Sequence, residues 1–170
     1  MPCLFAGTLR SNLDPLGGAD DAAAAAAMEM VAPGFVRAMP RGLDTPIDAE
    51  GASLSAGQRQ LVCLARALLR RDRVLILDEA LSSVDEQAEA AIRRALQTAF
   101  RGATVLHIAH RLSAISDVDR ILVLEDGAIV EDGAPLELLN RRGGRYRTLF
   151  DAETETGRPR AARATAAVSA

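Results

Sequence analysis

Lysine is missing altogether: all 20 basic residues of this 170-residue chain are Arg. That absence excludes a phosphate-binding loop of the Gly-x-x-x-x-Gly-Lys-Ser/Thr type within the chain. Trp is also absent and aromatic residues make up only 3%, so the core has to be built from Leu, Ile, Val and the abundant Ala. The two cysteines, Cys3 and Cys63, stand far apart with no CxxC or His-Cys cluster, which points away from a zinc site or disulfide framework and toward a reducing compartment. No basic start followed by an apolar core opens the chain, and the longest weakly polar run, Ala22 to Ala27, is too short to span a bilayer. A net charge of -3 with no basic block argues against a nucleic-acid partner, because such binding is mostly phosphate neutralisation. What is present is 49% hydrophobic and 25% charged residues, enough for a buried core in one to one-and-a-half domains.

The first fifty residues are cut into short pieces by Pro15, Gly17-Gly18, Pro33-Gly34, Pro40, Gly42 and Pro46, the pattern of a small helical subdomain. Asp20-Asp21 ahead of Ala22 to Val31, with Pro33-Gly34 behind, predicts one helix there. From residue 55 the grammar changes. Gln58 to Arg70 carries Leu61, Leu64, Ala65 and Leu68 at helical spacing, and the run Val74-Leu75-Ile76-Leu77 predicts a buried strand. Glu86 to Phe100 reads as a second helix and Thr104 to Ile108 as a second strand. Arg120 to Leu124 and Ala128 to Val130 flank Asp126-Gly127, a hairpin signal. The strand-helix-strand order predicts an α/β fold with parallel strands joined by crossovers. Two short helices are expected over residues 135 to 150, around Gly143-Gly144, and the tail 151 to 170, with Val168 as its one aliphatic side chain larger than Ala, is expected to be disordered. The expected divisions are 1–72, 73–150 and the tail.

Three places carry chemistry. The strand Val74 to Leu77 ends in Asp78-Glu79, and carboxylates at the carboxyl end of a buried parallel strand stand where open α/β sheets hold ligands. Asp78 suits Mg²⁺, directly or through water, and Glu79 suits the polarisation of a water that attacks a phosphate. The alternative is two solvated acids opening a loop. Leu54-Ser55-Ala56-Gly57-Gln58 precedes the long helix; Ser55 and Gln58 have the spacing of a capping box, while the N–H groups of Ala56, Gly57 and Gln58 and the Ser55 hydroxyl converge as a phosphate site would require. Both readings stay open on spacing alone. His107 lies inside the second strand and reads as packed, whereas His110 follows it and stands at the rim, within reach of a terminal phosphate.

The order of these pieces, SLSAGQRQ then VLILDEA then SSVD then IAHRLS, resembles the nucleotide-binding domain of ABC transporters, and within them the C subfamily that includes the multidrug-resistance-associated proteins. The resemblance covers residues 2 to about 150. It implies that Leu54 to Gln58 is the signature motif, Val74 to Asp78 the Walker B strand with Asp78 at the metal, and Glu79 the general base. It further implies that Ser82-Ser83-Val84-Asp85 is the D-loop, with Asp85 near nucleotide, and His110 the switch histidine. Leu4 to Pro15 resembles the segment after the Q-loop that faces the transmembrane domains.

The missing Lys departs from the pattern, as do the adenine-stacking aromatic and the Q-loop glutamine, which the resemblance would set upstream of Met1. The expectation is therefore a partial P-loop NTPase-type cassette: a helical subdomain, parallel strands, and a C-terminal hairpin with helices. It would be a truncated reading of a longer gene, a pseudogene product or one piece of a split protein. The resemblance implies ATP and Mg²⁺ as cofactors and a second ABC cassette as head-to-tail partner. It also implies the transmembrane domains of an exporter as partners and the cytoplasmic face of a membrane as location. The alternative is a non-catalytic half-cassette that completes a partner's ATP site in trans. Chromosome-maintenance ATPases, which share the signature and Walker B strand, insert long heptad coiled coils that the Pro/Gly-broken residues 1 to 50 do not contain.

Overall fold

A computed structural model describes residues 3–78, 85–109, 112, 118–156 and 165–169. The chain divides into two compact units: residues 1–72 with 83–101, and 73–82 with 102–170.

The first unit is mostly helical. A two-residue strand pair, β1 (Gly7–Thr8) with β2 (Pro46–Ile47), closes its N-terminal end, and α1 (Leu9–Leu13) follows directly. Thr8 and Ser11 cap α1 reciprocally. Asn12, fully buried, accepts the Phe5 N–H at 2.8 Å and donates to the carbonyls of Phe5 and Thr8, so one amide ties the entering chain to the helix. Helix α2 (Asp21–Val31) starts at Asp20, whose carboxylate accepts the Ala23 N–H at 2.8 Å, and buries Ala24, Ala27, Met28 and Val31 on one face. That i, i+3, i+4, i+7 stripe, mostly methyl groups, lets α2 lie close to α4 (Ala56–Arg70). A single turn, α3 (Phe35–Ala38), follows Gly34, which stands at φ 81°. Helix α5 (Glu86–Ala99) buries Ile92 and Ala95 and packs with α2 and α4. The sequence division at 72/73 groups it with the strands, but its apolar stripe lies among the helices of the first unit.

The second unit is a five-stranded sheet in the order β3-β4-β7-β5-β6. Strand β3 (Val74–Asp78) runs parallel to β4 (Thr104–Ala109), with Val74 opposite Thr104 and Asp78 opposite Ile108. β5 (Arg120–Glu125) and β6 (Ala128–Gly133) form the expected hairpin, with Asp126 at φ 50° and Gly127 at φ 81° in its turn. Two helices, α6 (Pro135–Asn140) and α7 (Arg145–Thr156), follow. The core joins Ala109, Leu112, Ile121, Val123, Leu138 and Tyr146, with Leu149 and Phe150 packed against it.

Two expectations are corrected. Val74 and Ile76 are 61% and 62% exposed, so β3 is not a strand buried on both faces. Among the described residues β3 pairs only with β4, and only its Leu77 is buried. The described residues of the tail are ordered. Helix α7 continues to Thr156, because Tyr146, Leu149 and Phe150 anchor it to the core, and Thr165–Ser169 forms β7 between β4 and β5. Backbone pairing on both sides sustains that strand despite its poor side-chain content.

Candidate functional site

Ser55 is delivered by a tightly tied loop. The Asp48 carboxylate accepts the backbone N–H of Ser53 at 3.0 Å and its hydroxyl at 2.9 Å, and these bonds hold the Asp48 carboxyl below the usual carboxylate range. Glu50 and Gly51 both take left-handed backbone conformations, at φ 61° and 65°. A Cβ on Gly51 would lie 2.6 Å from Leu4 Cδ1, so Leu4 would have to move, and the left-handed backbone adds strain for any other residue. From the following helix Arg59 reaches back and donates to the carbonyls of Gly51, at 3.3 Å, and Leu54, at 2.7 Å. The sequence reading missed Asp48, Gly51 and Arg59 as supports. The Asp-x-x-Gly-x-Ser spacing from Asp48 was the available signal, since short side chains with acceptor oxygens close such turns on their own backbone.

Ser55 then begins α4. Its hydroxyl accepts the Gln58 N–H at 3.1 Å, and Gln58 Oε1 accepts the Ser55 N–H at 2.9 Å. The capping box is therefore formed, and the Gln58 N–H is occupied. The N–H groups of Ala56 and Gly57 lie in the first turn, where a helix offers them no internal acceptor. Ser55 is exposed, Ala56 and Gln58 half-buried and Gly57 buried. A fifteen-residue helix thus presents two backbone donors, a hydroxyl and the positive end of its dipole at one spot, which suits an anionic oxygen.

Asp85 is the N-cap of α5, its carboxylate accepting the Ala88 N–H at 2.8 Å, so in this structure its evident task is structural. Asp78 ends β3 as an exposed residue in the other unit. A single hard carboxylate at a strand end fits Mg²⁺, which keeps several waters and takes one or two protein carboxylates together with phosphate oxygens. Among the described residues no group of three or more His, Cys, Asp or Glu stands together. His107 is buried within β4, opposite Leu77, as a packed sheet residue. Glu79, Ser82, Ser83, Val84 and His110 lie outside the described residues.

The family description for ABC transporters matches residues 3–82, which takes in the Ser55 helix start and Asp78. ATP-binding cassette sub-family C member 3 of rat and of human are each 46% identical over 152 residues, 89% of this chain. The chain belongs to the ABC transporter family. Sub-family C member 2 of rat is 44% identical over 146 residues, so the cassette groups with nucleotide-binding domains of that sub-family. It spans about one-tenth of the length of these curated relatives. A solved bacterial Atm1-family ABC exporter with ATP bound is 36% identical and aligns with a TM-score of 0.78, over 89% of this cassette and 27% of that chain. The α/β architecture read from the sequence is thus that of a partial ABC cassette. Among the described residues no helix is long and apolar enough to cross a membrane.

Proposed function

We propose that the chain is the C-terminal part of a cassette that binds and hydrolyses ATP to drive export, acting at the cytoplasmic face of a membrane beside transmembrane domains. The observation that carries this reading is the start of α4, where Ser55, Ala56 and Gly57 direct a hydroxyl and two backbone donors to one spot. Such donors stabilise negative charge on a terminal phosphate as the bond to it breaks. Two nucleotide sites are involved. Ser55, Ala56, Gly57 and Gln58 serve a nucleotide gripped by a second cassette arranged head to tail. Asp78, Glu79, Asp85 and His110 serve a nucleotide bound beside this cassette's own strands. Glu79 takes the proton of the attacking water, and His110 hydrogen-bonds the terminal phosphate. Mg²⁺, when bound, neutralises charge on the phosphate oxygens, and Asp78 is the residue that would hold it.

A second reading uses the same helix start: a non-catalytic half-cassette that completes a partner's site in trans through the donors of Ser55, Ala56 and Gly57. One experiment separates the two. ATPase rate is measured with a complete partner cassette, with and without an upstream segment that supplies a P-loop. In the bare chain Ser55→Arg abolishes stimulated turnover, while Glu79→Gln leaves it nearly unchanged. With the upstream segment, Glu79→Gln lowers turnover by orders of magnitude and leaves ATP binding intact. Damage from Glu79→Gln in the bare, folded chain refutes the assignment of motifs to sites. Alone, the chain neither binds Mg-ATP at micromolar concentration nor releases phosphate, and calorimetry with a phosphate-release assay checks this.

A further inference from the structure

Arg66 gathers the N-terminal segment onto α4. Its Nε donates to the carbonyl of Asn12 at 2.7 Å and its Nη1 to the carbonyl of Cys3 at 3.0 Å, while the guanidinium lies 5.5 Å from the centre of the Phe5 ring. Nη2 is buried and has no acceptor among the described residues. A buried donor of a charged group left without a partner is costly, so negative charge arising beside it is stabilised. The two thiols of the chain stand at this spot. Cys63 lies one turn before Arg66 on α4, on the same face of the helix. Its sulfur accepts the backbone N–H of Cys3, and the Cys3 thiol is near enough to act on it. That N–H and the Cys3 Sγ belong to one residue, so rotation about the Cys3 Cα–Cβ bond carries one sulfur toward the other. Cys3 is exposed and Cys63 half-buried. Burial pushes the Cys63 thiol up, while Arg66 and the Cys3 N–H act the other way.

We infer that Cys3 and Cys63 form a reversible dithiol–disulfide pair, closed by exchange with a small disulfide of the glutathione class. Cys3, the exposed thiol, loses its proton to water, and its thiolate attacks one sulfur of the small disulfide. That S–S bond breaks, a mixed disulfide forms at Cys3, and the first small thiolate leaves and takes up a proton. Cys63 then attacks the Cys3 sulfur, with the Arg66 guanidinium beside the sulfur as its proton leaves. The second small thiolate departs and takes up the proton that Cys63 gave up. In sum, two protein thiols are oxidised and one small disulfide is reduced to two thiols. The new bond ties the entering segment to the helix that Ser55 begins. Excess small thiol reverses each step, the transient behaviour usual for such pairs outside oxidising compartments.

The test exposes the full, folded chain to glutathione disulfide and follows it by intact mass and by peptide mapping without reduction. The parent passes through a glutathione adduct at Cys3 and ends with Cys3 joined to Cys63, lighter by two hydrogens and carrying no glutathione. Cys63→Ser stops at the adduct. Cys3→Ser, left with the half-buried thiol alone, reacts at least tenfold more slowly. An arm without variants compares the parent in buffer and in denaturing urea at one fixed ratio of glutathione disulfide to glutathione. Because the native fold holds the two sulfurs together, the ratio of joined to open chain falls at least tenfold in urea. A parent that keeps glutathione on Cys3, or on both cysteines, overturns the proposal. So does a Cys3–Cys3 bond between two copies, or a joined fraction that urea leaves unchanged.

Discussion

Ser55 and Gln58 hold each other's backbone: the hydroxyl of the first accepts the N–H of the second, and the amide oxygen of the second accepts the N–H of the first. A helix start used both as a cap and as a phosphate contact makes the two roles separable by charge. Ser55→Ala removes the cap and lowers the unfolding free energy by about 1 kcal/mol in urea denaturation. Ser55→Asp keeps a capping oxygen and leaves stability within about 0.5 kcal/mol of the parent, since Asp and Ser are comparable caps. It also sets a carboxylate where phosphate charge must sit. Stimulated ATPase of the paired cassettes is therefore lost in Ser55→Asp although the fold is retained. Full activity in that variant would mean the helix start does not face the nucleotide.

The elements whose signals are local were legible in the sequence. Asp20 and Ser55 each announce a helix, and each accepts a first-turn N–H as its residue type requires. Asp126-Gly127 announced the hairpin through the left-handed backbone that its turn demands. Burial of β3 was not legible, because an apolar run states what a strand tolerates and not what covers it. Val74 and Ile76 stand exposed. The pairing of Thr165–Ser169 was invisible for the opposite reason: its bonds are backbone bonds across more than forty residues, and side-chain pattern carries no trace of them. At the start of α4, spacing identified the Ser55–Gln58 cap, but the supports beneath it act through three-dimensional approach, as when Arg59 reaches back to Leu54.

Glu131 is a buried carboxylate with a structural task. It accepts the backbone N–H of Tyr146 at 2.7 Å, and Arg141 stands 3.7 Å from its other oxygen. Glu131→Ala leaves a donor at the start of α7 without a partner in the core, at a cost of about 2 kcal/mol. Glu131→Gln retains the accepting oxygen and loses only the half-exposed ion pair, so its cost is well under half as large. Urea denaturation of the two variants checks the order. Equal losses would show that charge, not the Tyr146 hydrogen bond, is what matters.

The pair Arg120–Asp132 links adjacent strands with bonds of 2.6 and 2.5 Å. The guanidinium beside Asp132 holds its carboxyl below the ordinary value of 3.8. A lowered carboxylate contributes stability that is present above its unfolded value and is lost as pH falls through the folded one. The melting temperature of the parent therefore exceeds that of Asp132→Asn near neutrality, and the gap closes below about pH 4. Because the pair is exposed the gap is small, and added salt narrows it. A gap that widens in acid would contradict the pairing.

Val74 and Ile76 stand two residues apart on one face of β3, 61% and 62% exposed, beside a strand edge that pairs with nothing among the described residues. An apolar face next to open backbone donors and acceptors is the combination that recruits another strand or a hydrophobic dye. The isolated chain should accordingly bind such a dye while folded and aggregate on mild warming. Ile76→Thr tests the cause. Thr keeps the β-branch that suits a strand, so stability changes by no more than about 0.5 kcal/mol, the usual size at an exposed site. Dye fluorescence falls and the onset of light scattering moves to higher temperature. Leu77→Ala, one residue along on the buried face, gives the contrast: it opens a cavity, costs about 3 kcal/mol and raises dye binding. If Ile76→Thr leaves both dye binding and scattering unchanged, aggregation of the chain starts from another surface.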